Sequence, residues 1–152
     1  MKYIISAVGL CFLLIIMQSC TKENQKNILK NKPTETGITG EWELRNTSAA
    51  MLPGQVDYAP GNGNIIKFTS TGYEMYENGS LVRSGLYNVV PDTGVTESVC
   101  LVFSAGQFEE RIVYDGTDAE PKIFFQITGN RLTFVSGCYA LDGGHRSEYE
   151  KL

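Results

Sequence analysis

From residue 41 onward, apolar and polar side chains alternate in short runs that are broken by glycine, proline and asparagine. Residues 41–46 (EWELRN) set Trp42 and Leu44 against Glu41, Glu43 and Arg45. Residues 64–70 (NIIKFTS) set Ile66 and Phe68 against Lys67 and Thr69, and residues 73–78 (YEMYEN) put Tyr73 and Met75 on one face. A period of two sends successive side chains to opposite faces of a strand. Each run therefore predicts a strand with one greasy side. Six further runs read the same way: 81–90 (LVRSGLYNVV), 97–104 (ESVCLVFS), 108–115 (FEERIVYD), 122–128 (KIFFQIT), 131–136 (RLTFVS) and 145–152 (HRSEYEKL). Thr71-Gly72 and Asn78-Gly79 predict tight turns. Asn-Gly is the stronger signal, because both residues tolerate positive φ.

Nine predicted strands joined mostly by short links must pair as sequential antiparallel neighbours. A meander of this length can roll up and remove its own edges. The predicted fold is all-β, an up-and-down antiparallel barrel of eight or nine strands formed by residues 37–152. The alternative, an open β-sandwich, would divide the same strands between two separate sheets. Composition agrees with strands and turns: 16 glycines, 8 tyrosines and 7 phenylalanines, with a sustained apolar run only near the start.

That early run has a different character. Lys2 precedes a largely apolar stretch over 4–17, followed by Gln18, Ser19 and Cys20. Spanning a bilayer takes about 18 or more apolar residues, so the stretch fits a secretory signal better than an anchor helix. MQSC at 17–20 resembles a bacterial lipobox, in which a small residue precedes an invariant cysteine. Ser19 takes the small position, and Met17 stands where leucine is commoner. The resemblance implies a lipoprotein signal peptide over 1–19, lipidation of Cys20, and a membrane anchor in the bacterial cell envelope, expected at the outer membrane. More than one acyl chain is needed for firm attachment. An ordinary secreted protein with a chance cysteine after the leader is the alternative. Residues 21–36 carry Lys22, Lys26, Lys30 and Lys32 without apolar periodicity. With Cys20 they predict a lipidated, flexible tether over 20–36, with a reach of roughly 20–25 Å if it behaves as a coil.

The predicted body, 37–152, holds 8 basic and 15 acidic side chains, a net charge of −7. An acidic body without a basic stripe excludes nucleic acid as a partner.

Gly40-Glu41-Trp42, GLYNV at 85–89 and YEKL at 149–152 resemble the Gly-x-Trp opening, the G-x-Y and the closing strand of bacterial lipocalin-like lipoproteins. The likeness runs through 37–152 in strand order and spacing. It implies that Trp42 plugs the closed end of the barrel and that a basic residue near the last strand packs over it. Lys151 is the first choice for that role and Arg146 the second. It also implies a small apolar or amphipathic ligand at the open end.

The connection over 47–62 is long for a compact domain, and such loops are commonly functional or disordered. In the lipocalin architecture this loop leans over the open mouth, and Met51, Leu52 and Tyr58 make it unusually apolar, so the resemblance implies a lid over a cavity. Simple coverage of the barrel end is the alternative. Tyr73, Met75, Tyr87, Phe103, Phe125 and Phe134 are expected inside, where they would set the size of any cavity. An eight-stranded barrel has room for side chains or for one small ligand. Two functions therefore stay open: a ligand-binding barrel, and a filled barrel that serves as an interaction or scaffolding module for an envelope protein. Outward apolar residues such as Tyr76 and Phe124 would serve the second.

Cys11 lies in the predicted leader and Cys20 at the predicted lipid site, leaving Cys100 and Cys138 as a pair in an oxidising compartment. A disulfide between them would close a loop of about 39 residues and contribute about 4 kcal/mol on the chain-entropy model. Two buried free thiols are the alternative. The single histidine, His145, follows Asp142-Gly143-Gly144 and has no motif that would supply a nucleophile or carboxylate partner. No G-x-S-x-G, H-E-x-x-H or P-loop occurs. The expectation is no enzyme, no cofactor and no metal. The oxygen-rich YDGTDAEP at 114–121 lacks EF-hand spacing.

Overall fold

The computed structural model describes residues 37–118 and 120–152. The predicted leader, Cys20 and the tether lie outside the described residues. Among the described residues nine strands form: β1 Gly40–Ala49, β2 Gln55–Asp57, β3 Ile65–Phe68, β4 Gly72–Glu77, β5 Ser80–Pro91, β6 Glu110–Tyr114, β7 Ile123–Thr128, β8 Arg131–Ser136 and β9 His145–Lys151. Every pairing is antiparallel. The sheet order is β2-β1-β3-β4-β5-β6-β7-β8-β9, and β9 returns to pair with β1. Eight strands thus close an up-and-down barrel, and β2 is an addition.

The closing seam is long, from Trp42↔Lys151 to Ala49↔His145, with a bulge at Arg45. On its other edge, β1 pairs first with β3 over 40–43 and then with β2 over 46–48. The two-residue period sends Trp42, Ile66, Phe68, Tyr73, Tyr87, Ile112, Phe125, Leu132 and Phe134 into one interior cluster. Three aromatic edges knit it: Phe68 against Tyr87, Tyr73 against Tyr114, and Phe134 against Tyr149. Such edge-on pairs add to the area they bury.

The predicted strand over 97–104 does not form. In its place stands a short helix, α1 Val95–Val99, followed by irregular chain. The run alternates poorly at its start, and Val95 and Val99 lie four apart, one helical turn. Both are buried in a second cluster with Phe108, Phe124 and Val135. Cys100 ends the helix in the left-handed region, at φ 59°. The predicted strand over 108–115 shortens to β6, because Phe108 also takes positive φ, 53°, and turns into that cluster.

The segment between β5 and β6 is therefore a strap over the outer face of β7 and β8. A Cys100–Cys138 disulfide pins its far side, as the cysteine count predicts. Its base is closed by the Asp92 amide on the Glu109 carbonyl, 2.9 Å. Asp92 also faces Arg111 and Lys122 at 2.9 and 3.1 Å. Among the described residues the Arg111 Nε–H has no hydrogen-bond partner, so its contact with Asp92 counts as an ion pair. Phe124, expected outside and available to a partner, is fully covered by the strap.

Candidate functional site at the barrel mouth

The two ends of the barrel differ. At one end Trp42 is fully buried and its Nε1–H donates to the Ile38 carbonyl at 2.6 Å. The Lys151 ammonium lies 5.3 Å from the Trp42 ring centroid, within cation–π range. Gly40 makes room for it: its φ is +136°, and a Cβ there would come within 2.9 Å of Lys151 Cε. Arg146, the second choice for this place, bonds Glu148 instead.

The other end is open. A cleft of about 340 Å³ is lined by Leu44, Ile66, Met75 and Tyr149 from the barrel interior, Val82 and Glu77 from the β4–β5 hairpin, and Tyr58 and Asn64 from the chain after β2. Its outer wall includes Ile65, Tyr76 and Asn78. Burial pushes the Tyr149 phenol up from its ordinary range and keeps it neutral.

Tyr58 reaches the cleft because the chain from 58 to 64 is nailed to β1. The Tyr58 amide donates to the Arg45 carbonyl, and the Leu44 amide to the Asn64 carbonyl, each at 2.8 Å. The Glu43 carboxylate accepts the Gly61 and Gly63 amides at 3.1 and 3.3 Å. It also accepts Arg45 at 2.6 Å, and Arg45 bridges on to Glu150 at 2.9 Å. These bonds hold the Glu43 carboxyl below the usual carboxylate range, the Gly61 amide foremost.

Beside the mouth, Asp115 accepts Tyr73, Arg83 and the Leu86 amide at 2.9, 2.9 and 3.1 Å. The Arg83 guanidinium lies 5.5 Å from both the Tyr73 and Tyr114 ring centroids. It is thus held against its own carboxylate and two phenol faces.

The residues expected to contact a ligand fall into four groups. Met75 and Tyr58 line the mouth. Tyr73, Tyr87 and Phe125 are packed into the interior and fill it. Phe103 lies outside the barrel, 4.9 Å from Phe108, because the strand that would have carried it inward is absent. Met51 and Leu52 are 72% and 65% exposed, so they do not form the expected lid. They sit where β1 turns back into β2, and neither lines the mouth cleft.

Tyr149, Glu77 and Val82 were not anticipated. Alternation along 145–152 places Ser147, Tyr149 and Lys151 on one face, which could have found Tyr149. Alternation along β4 continues from Tyr73 and Met75 to Glu77, which could have found it, whereas Val82 is the unpaired residue at the irregularity between Met75 and Tyr76, which no periodicity reports.

Larger clefts lie on the outer surface. One, of about 500 Å³, runs beside Phe103 and Phe108 over the outward Gln126, Thr133, Arg146 and Glu148. Another, of about 520 Å³, includes Glu109, Glu110 and Gln126. Their exposed surface is mainly polar, whereas the smaller mouth carries the greasier lining, which is what drives burial of an apolar ligand.

His145 is exposed at the start of β9. Asp115 and Asp118 are each engaged by an arginine. Among the described residues, no three or more His, Cys, Asp or Glu side chains converge as metal ligands. None of the described helices is long and apolar enough to cross a membrane. Comparison with family models, with curated proteins and with solved structures finds no match to this chain.

Proposed function

We propose that the protein is an extracytoplasmic lipoprotein, moored to the bacterial envelope through Cys20, whose lipocalin-like barrel takes one small amphipathic molecule at its mouth. The observation that carries the reading is the mouth cleft: Leu44, Ile66, Met75 and Val82 supply an apolar floor, and Tyr58 and Tyr149 supply polar tips. Ligand pockets typically run from about 300 to 1,000 Å³, so a cleft near the lower bound suits a small molecule. The packed interior beneath limits how deep a ligand can go. On this reading the chain's own residues act by desolvation and orientation, with no bond made or broken.

The test is titration with Nile red, a neutral environment-sensitive dye, alongside native mass spectrometry of protein from its own host. Saturable 1:1 binding that is lost in Met75→Trp, which fills the mouth, supports the reading. Unsaturable or unchanged dye binding in Met75→Trp overturns it. The anchor is tested by fatty-acid labelling of cells: label on the wild type and none on Cys20→Ala is expected.

A second reading, a non-catalytic interaction module, rests on a different observation. Leu81 and Leu86 on β5 are 55% and 65% exposed and lie outside the mouth cleft. Single exposed apolar residues are ordinary, but two large ones on one strand offer a partner a contact strip. Capture of a defined envelope protein that is lost in Leu81→Asp/Leu86→Asp, with Nile red binding intact, would favour it.

A further inference from the structure

The mouth has a sign. Among the described residues its lining includes a carboxylate, Glu77, and neither lysine nor arginine. Among the described residues, no basic side chain forms an ion pair with Glu77. Arg83 is register-paired with Met75 and is the cation best placed to serve the cleft. It is instead committed to Asp115 at 2.9 Å and to the rings of Tyr73 and Tyr114. Two phenol rings, Tyr58 and Tyr149, and the Met75 thioether supply polarisable surface in the same cleft as that carboxylate. The domain from residue 37 onward also carries a net charge of −7, which draws cations and repels anions at long range.

We propose that the mouth selects cationic amphipaths, with an ammonium group placed between Glu77 and the Tyr58 and Tyr149 rings and an alkyl tail over Leu44, Ile66 and Met75. Aromatic faces with a carboxylate recognise quaternary ammonium groups, and such contacts strengthen as water is excluded. A fatty acid would meet Glu77 head-on and find no free cation to offset it. This inference rests on the mouth being a binding site.

Three probes with the same six-carbon tail separate the two claims: hexyltrimethylammonium, 1-hexanol and hexanoate. None forms micelles at working concentrations. Calorimetric titration of the full-length protein should give the ammonium an affinity about tenfold above hexanol, a gap of about 1.4 kcal/mol, with hexanoate weakest. Glu77→Gln should weaken the ammonium about fivefold and leave hexanol unchanged, which also shows that the variant is folded. Tyr58→Leu should weaken the ammonium more than hexanol. Hexanoate binding as tightly as the ammonium would overturn the cation preference and leave the binding mouth standing. Failure of all three probes to bind, together with no saturable Nile red binding, would overturn both.

Discussion

Tyr73 and Asp115 stand 42 positions apart, and the Tyr73 hydroxyl donates to the Asp115 carboxylate at 2.9 Å. The bond ties the inside of β4 to the turn that follows β6. It is possible because Gly85, opposite Tyr73 on β5, has no side chain. A Cβ at 85 would overlap the Asp115 carboxylate and press on the Tyr73 ring. Gly85→Ala is expected to destabilise the fold by about 1–3 kcal/mol, as overpacking does. Chemical denaturation measures it. The cost should shrink in an Asp115→Gly background, where the overlap is relieved; equal costs in the two backgrounds would show that the carboxylate is not what excludes a side chain.

The Cys100–Cys138 bridge fastens the strap to the loop after β8. Removing it with Cys100→Ser/Cys138→Ser should cost about 2–4 kcal/mol. The loss should be local first: amides of β7 and β8 near Phe124 and Val135 should exchange faster, while β1 and β9 keep their protection. Mass spectrometry of native protein should find neither thiol open to alkylation before reduction.

Trp42 is the only tryptophan. It is fully buried and bonded to Ile38, so its emission should be blue-shifted and should report the closed end alone. Trp42→Ala should cost about 3–5 kcal/mol, the usual toll of a large core truncation. Trp42→Phe should cost less and lose chiefly the bond to the Ile38 carbonyl. Lys151→Met should alter the Trp42 emission with little change in stability, since an exposed cation–π contact contributes roughly 0.5–1 kcal/mol.

Acid should loosen the chain that carries Tyr58. Glu43 titrates below its ordinary value of 4.5 when folded, because its carboxylate accepts the Gly61 amide and, after that, Arg45 and Gly63. A depressed carboxyl contributes stability that is present above the unfolded value and is lost as pH falls through the folded one. The loss from this group therefore begins near pH 4.5 and grows below it. Glu43→Gln should flatten that part of the stability–pH curve. Hydrogen exchange at Gly61 and Gly63 should accelerate in the variant at neutral pH; unchanged exchange there would mean that the carboxylate does not hold the segment.

The pairing order was legible because it rests on a local signal repeated along the chain. Trp42, Ile66, Phe68, Tyr73 and Phe134 all sit where a two-residue period puts them. Residues 97–104 failed because Val99, Leu101 and Phe103 mimic alternation, while the chain uses Val95 and Val99 at helical spacing. What decides between the two is a partner far away, the outer face of β7 and β8, which local pattern does not report. β2 was missed for a related reason. Gln55, Val56 and Asp57 have almost no alternation to read, and they form a strand because β1 extends to Ala49 and offers an open edge. The mouth was half legible: Met75 follows parity and Tyr58 follows loop composition, but Met51 and Leu52 share that composition and face water.

The seam between β1 and β9 has a further consequence. Trp42 lies opposite Lys151, and the Leu152 amide donates to the Glu41 carbonyl at 2.9 Å, so the first and last strands run side by side. The ring of strands is then indifferent to where the covalent chain is cut. A circular permutant that joins residue 152 to residue 37 through a short glycine linker, keeping the buried Ile38, and starts instead at Gly79, should fold to the same barrel. Its new ends would flank the mouth, turning the Asn78-Gly79 hairpin into a place from which a reporter could be displayed.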